Sequence, residues 1–205
     1  MGSAIDAQAF PRTAHYLDLL PDGLDSYPEA QTKASVLRAA KAGYGLTVQP
    51  GQLPAPIIEV LDDPPPKNAW IPQVLNNAAQ FAIADRYFPT DEAYLDWAYR
   101  NNVRLAQSSM YKVLTRVASP KAFLRGASMK WRIVHRGQSL EIDILDDDHA
   151  RARISHPPHL HLEIGHRNFA TAFEAILKAA NAKDVSARVE QSSPTGADLD
   201  IRWAQ

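Results

Sequence analysis

Near Ser119-Pro120 the spacing of apolar residues changes from one helical turn to strict alternation. Helices and strands present side chains with periods of 3.6 and 2 residues, so this switch constrains the fold more than any single motif in the chain. Before it, residues 72–87 (PQVLNNAAQFAIADRY) place Val74, Leu75, Ala78, Ala79, Ala82 and Ile83 at helical spacing. Next comes FPTDEAYLDWAYRNNVRLAQSSMYKVLTRV, in which Thr90 caps a second helix and Asp91 and Glu92 suit its positive end. Leu95, Tyr99, Val103, Ala106, Met110, Val113 and Val117 form one apolar stripe, which predicts a helix of about 27 residues, roughly 40 Å long. Past the switch, residues 129–135 (MKWRIVH) and 139–145 (SLEIDIL) alternate around a glycine turn and predict a β-hairpin. Residues 150–155 predict a third strand, which HLHLEI extends or follows. Residues 168–180 predict a helix that buries Phe169, Phe173, Ile176 and Leu177, and residues 185–191 and 198–203 predict two final strands. The order, helices and then βββ-α-ββ, predicts an α+β fold with N-terminal helices packed on a mostly antiparallel sheet.

The N-terminal third is organised by proline. Residues 49–72 hold a dense group of prolines, and proline fixes φ and removes a backbone donor. Residues 50–66 therefore predict an extended connector with a short helical turn at 57–61. Upstream, residues 28–42 predict a helix capped by Ser26 and stopped by Gly43 and Gly45. The expected organisation is an arm over residues 1–66 and a helix-pair-plus-sheet domain over 67–205, together one compact domain.

Composition removes several classes of function. The 205 residues contain no cysteine, which excludes disulfides, thiolate nucleophiles, iron–sulfur clusters and Cys-ligated zinc. The net charge is −1 with scattered lysines and arginines, so no footprint for nucleic acid stands out. No stretch reaches the roughly 18 apolar residues of a membrane span, and the N-terminus lacks the basic and apolar regions of a signal peptide. These features imply a cytoplasmic protein.

Residues 156–166 read HPPHLHLEIGH and hold four of the seven histidines. On a strand, His159, His161 and Glu163 share one face and Leu160, Leu162 and Ile164 the other. Two imidazoles and a carboxylate suit zinc or a similar ion, with His156 or His166 as a fourth ligand. The simpler reading is an amphipathic strand with an exposed polar side, and a pH-responsive surface is a third. Asp146, Asp147 and Asp148 read as a solvated turn. Gly43-Tyr44-Gly45 lacks the context of a dinucleotide loop, and the chain has neither a P-loop nor a nucleophile-elbow motif. Trp70, Trp97, Trp131 and Trp203 read as packing residues, with Trp131 also placed to line a cavity.

The block running from NAWIPQVLNN through FPTDEAYLDW to MKWRIVHRG, together with GLDSYPEAQTKASVLRAA upstream, resembles a bacterial family of about 200-residue proteins known as expanded paralogues in myxobacteria. Phe88-Pro89 matches its step between two helices. The same plan is similar to haem nitric-oxide-binding domains and vinyl-reductase-type ligand-binding domains. That resemblance implies a small molecule enclosed between helices and sheet, with Trp97, Met110, Trp131 and Phe173 as ligand-lining candidates. The haem-binding branch uses a helical proximal histidine and a Y-x-S-x-R motif. Residues 71–117 hold no histidine and the chain has no such motif, so haem ligation of that kind is not expected and no cofactor is named. The leading expectation is a non-enzymatic, small-molecule-binding or sensory module for an apolar ligand. The alternatives are a metal-dependent enzyme using His159, His161 and Glu163, or a protein-interaction or homodimer module.

Overall fold

The computed structural model describes residues 5–49, 51–108 and 119–204. The fold is α+β, and the chain forms two compact units that divide between Tyr94 and Leu95.

In the first unit, α1 (Pro11–Asp18) begins with a proline at its first turn, where a missing N–H costs nothing. No side chain of its own caps it. The Asp85 carboxylate of α4 (Gln73–Tyr87) does so instead, accepting from the Arg12 N–H at 3.1 Å and from the Thr13 N–H and hydroxyl at 3.0 and 2.9 Å. Tyr16 then packs edge-on against Phe81, centroids 5.3 Å apart. Residues 28–42 are not one helix. Strand β1 (Gln31–Lys33) pairs antiparallel with β2 (Trp70–Pro72), and only α2 (Ala34–Lys41) is helical. The reason is local: Tyr27 takes a positive φ, and buried Thr32 lies opposite Ile71. The proline connector carries a full helix, α3 (Ala55–Asp62), because its prolines fall at the N-cap and first turn.

Helix α5 (Asp91–Gln107) carries the predicted acidic first turn. Its expected continuation to 117, and with it Met110, lies outside the described residues. In the second unit, Ser119 caps α6 (Pro120–Arg125) by accepting from the Ala122 N–H at 3.2 Å. Residues 129–135 are not a strand. Residues 129–134 belong to α7 (Ala127–Val134), with Met129 71% and Ile133 50% exposed. Ala, Met, Lys and Arg favour the helix, and this local preference overrides the apparent alternation. A two-residue strand, β3 (His135–Arg136), follows.

The sheet of this unit contains β4 (Ser139–Ile144), β5 (His149–Ser155), β6 (Lys183–Ser193) and β7 (Gly196–Ala204) in the antiparallel order β4-β5-β7-β6. Helix α8 (Glu163–Ala179) joins β5 to β6. Leu140 lies opposite Ile154, Ala150 opposite Ile201, and Ala152 opposite Leu199, so one face is apolar. Phe173 and Leu177 of α8 and Phe123 and Leu124 of α6 share its core. The other face carries charge, including Arg153 paired with Asp198 at 3.1 Å. Among the described residues no helix is long and apolar enough to cross a membrane.

Candidate functional site

HPPHLHLEIGH is not a strand. Pro157 and Pro158 come one residue past the end of β5, and His159 sits at φ 58°, where a strand cannot continue. The turn is fastened to the β6–β7 hairpin by backbone bonds from the His156 N–H to Thr195 and from the His159 N–H to Pro194, at 2.9 and 2.6 Å. Helix α8 then starts at Glu163. The expected common face of His159, His161 and Glu163 therefore does not exist. His159 occupies the turn, His161 is 6% exposed, and Glu163 is exposed in the first turn of α8. The two predicted faces do not divide into exposed and buried sets, because Leu160 and His161 are both buried. Among the described residues no three of His, Asp or Glu are grouped so as to hold a metal ion.

The fold instead gathers four imidazoles in the second unit. The ring centroids of His156 and His161 are 5.0 Å apart, those of His156 and His166 5.1 Å, and His135 stacks on Trp131 at 4.1 Å. Burying polar rings costs several kcal/mol unless they are hydrogen-bonded, and here each ring has partners. His156 Nδ1 lies 2.8 Å from the Pro157 carbonyl, which can only accept. His156 Nδ1 therefore carries the proton and its Nε2 is an acceptor. His166 Nε2, 2.9 Å away, must donate to it, which leaves His166 Nδ1 to accept from the Ser192 hydroxyl at 2.8 Å. A second chain runs from His161 Nε2 to Gln138 Oε1 at 2.9 Å, and from the Gln138 amide to His135 Nδ1 at 3.3 Å.

Burial sets the charge state of all four rings. It holds His166 down at about 4 and His135 at about 3, and it pushes His161 well below the ordinary imidazole value. His156 is lowered by the same cause, against an upward pull from the Pro157 carbonyl. The cluster is neutral at neutral pH.

Ser192 reaches His166 because of a register fault. Along β6, Ala187 lies opposite Ile201 and Val189 opposite Leu199, on the apolar face. Unbroken alternation would put Gln191 and Ser193 on that face next. A bulge at Glu190 shifts the phase, so Ser192 pairs with buried Ala197 and shares its face. Ser192 is itself exposed. It lines an open cleft of about 580 Å³ between α8 and β6, together with Leu95, Glu163, Arg167, Ala170, Arg188 and Glu190. Thr171, on the same wall, is tied to α5 by the Asn102 amide, which donates to both Asn168 and Thr171 at 3.0 Å.

Of the ligand-lining candidates, Trp97 and Phe173 are buried, and Trp131 packs on Phe169 with centroids 5.3 Å apart. None of the three lines the α8–β6 cleft. Ser192 and Arg167 carry no sequence motif, and His166, expected only as a fourth metal ligand, is instead a buried hydrogen-bonding residue of the core. Only His166 left a signal, since it stands three residues before Phe169 and seven before Phe173, on the apolar stripe of α8.

A family model described as protein of unknown function, DUF2378, matches residues 66–204. No curated protein matches the chain in sequence. Solved structures similar in fold include H-NOX domains. One, an oxygen-binding H-NOX domain related to soluble guanylate cyclases in its oxygen complex, has a TM-score of 0.59 at 10% identity, over 83% of this chain and 92% of its own. A structure from work on the molecular mechanism of H-NOX activation gives 0.56 at 7%, over 85% and 97%. One from work on haem distortion in the H-NOX family gives 0.58 at 9%, over 84% and 93%. The residues here do not fit haem held by α4 or α5: neither helix has a histidine, and the buried imidazoles are committed to the hydrogen-bonded cluster.

Proposed function

The chain belongs to the family described as a protein of unknown function, DUF2378, so its role has to come from its own residues, and we propose that it is a small-molecule-binding sensory module that acts by binding rather than turnover. The observation that carries this reading is the α8–β6 cleft. Its volume of about 580 Å³ is that of an ordinary ligand site. Its lining combines apolar Leu95, Ala170 and Val189 with Arg167, Arg188, Glu163 and Glu190. That mixture suits a small molecule with an apolar part and a polar or charged end, a more polar ligand than the sequence suggested. The H-NOX likeness supports the reading as an analogy of fold, since folds host many functions. Native mass spectrometry of the untagged protein, before and after exposure to a metabolite extract, tests it. A bound small molecule that Arg167→Glu displaces is the expected result. A chain that carries no added mass in either sample refutes the reading.

A further inference from the structure

We propose that Ser192 is an activated nucleophile that accepts an acyl group from a small ester or thioester in the α8–β6 cleft, with His166 as its base and His156 as the positioning residue. The inference rests on the cleft reading above and gives its ligand a chemical class.

The arrangement has the three parts that an activated hydroxyl needs: a nucleophile, a base within hydrogen-bond reach, and a third group that fixes the base. Ser192 Oγ lies 2.8 Å from His166 Nδ1, and His166 Nε2 lies 2.9 Å from His156 Nε2. The direction of the chain follows from its far end. The Pro157 carbonyl fixes the His156 tautomer, His156 fixes that of His166, and His166 Nδ1 is left with its lone pair aimed at Ser192. A hydroxyl that served only to satisfy a core histidine would not need to be exposed. Here the base is fully buried while Ser192 opens on the cleft, so a ligand can meet Oγ and bulk water cannot reach His166. The bulge at Glu190 is what aims Ser192 at the base. Positive charge for a developing oxyanion stands on the same cleft in Arg167, one turn along α8 from Glu163 on the same wall.

The step balances without a co-reactant. Ser192 Oγ bonds to the carbonyl carbon while its proton passes to His166 Nδ1. The tetrahedral adduct collapses, the carbon–oxygen or carbon–sulfur bond breaks, and the Nδ1 proton leaves with the alcohol or thiol. Ser192 is left as an ester. While His166 is cationic, His156 Nε2 continues to accept its other N–H. Burial makes His166 a weak base, which matches stoichiometric capture of activated acyl groups better than cleavage of amides.

A fluorophosphonate probe applied to the full chain tests this, read by intact mass and peptide mapping. The expected result is one adduct on Ser192, lost in Ser192→Ala and kept in Ser193→Ala, both exposed positions. His156→Gln should slow labelling by at least about tenfold. His166 is faced by His156, His161 and Ser192, and Glu163 and Glu190 line the cleft. With a neutral base throughout, the labelling rate should be flat between pH 8 and 6, whereas an unactivated hydroxyl gains about tenfold per pH unit. No adduct, an adduct that survives Ser192→Ala, or a rate that climbs with pH overturns the proposal. Occupancy of the cleft is read separately by native mass spectrometry, so a bound ligand beside an unreactive Ser192 overturns this inference alone.

Discussion

Mild acid should destabilise the second unit, and His166 sets the scale. In the unfolded chain its imidazole takes a proton near 6.5, while in the fold burial holds it down at about 4. The folded state therefore binds fewer protons than the unfolded state between these values, and stability must fall as pH falls. The contribution is complete above 6.5, begins to be lost as pH drops below that value, and is exhausted below about 4. At pH 5 the loss corresponds to 1.5 pH units, or about 2 kcal/mol, and the full shift corresponds to about 3 kcal/mol. For a chain of 205 residues, 2 kcal/mol lowers a melting temperature by about 4–8 °C. His161, His156 and His135 shift in the same direction for the same reason, so this is a lower bound.

Circular dichroism melts at pH 8, 7, 6 and 5 and constant ionic strength provide the measurement, with the histidine ring resonances followed by NMR. The pH window isolates the imidazoles. Asp200 is lowered by its bonds to His149 and Arg202 despite some burial, and Asp147 by Lys121, so their contributions are lost only at lower pH. Asp85 is raised by burial, which acts in the opposite sense, because the folded state protonates more readily. A melting temperature at pH 5 within about 2 °C of that at pH 8, or cluster resonances that titrate near 6.5, would refute the reasoning.

Asp85→Ala removes the acceptor of three hydrogen bonds at the start of α1 and one of the two carboxylates beside the Arg12 guanidinium, the other being Asp91 at 3.2 Å. Urea denaturation should show a loss of about 3 kcal/mol, with Asp85→Asn losing less because one acceptor remains. Gly196→Ala would place a Cβ 2.3 Å from the Ile154 carbonyl oxygen, which is strand backbone and cannot move aside. It should cost about 2 kcal/mol or more, while Gly45→Ala, with nothing within 4 Å, stays within about 0.5 kcal/mol.

What the sequence made legible was decided by how far each pattern ran. The passage from helices to an antiparallel sheet was legible, because strands 139–144, 149–155 and 196–204 repeat the alternation opposite one another, but it falls at His135 rather than Pro120, since α6 and α7 both follow that proline. A short alternation misled. MKWRIVH satisfies period 2 for seven residues, yet Met129 and Ile133 are one helical turn apart on an exposed side of α7. HLHLEI misled in the same way. Its strand pattern ended at the positive φ of His159, and the helical stripe that overrode it runs backward from Leu177 through Phe173 and Ala170 to His166. Extending that stripe one turn upstream would have put a histidine in the core. The phase of Ser192 had no such marker. RVEQSS contains neither glycine nor proline, so the extra residue at Glu190 appears only when β6 is laid against β7.

The clustering of imidazoles itself argues for a role beyond packing. A site enclosed by α8, the 156–162 turn and the β6–β7 hairpin has leucine and phenylalanine as the simplest solution, since apolar side chains of similar volume are often at least as stabilising as a buried polar network. Four neutral rings there make the unit acid-sensitive and require every tautomer to agree. That requirement gives a hydrogen-bond chain a single direction, which apolar packing cannot. Here the direction ends at an exposed hydroxyl on a ligand-sized cleft. The His161–Gln138–His135 chain, by contrast, ends against Trp131 and Phe169 without joining the cleft lining. Two chains built from the same side chains therefore divide by where they terminate: one fastens the segment before β4 to the turn before α8, and the other carries a lone pair to the surface.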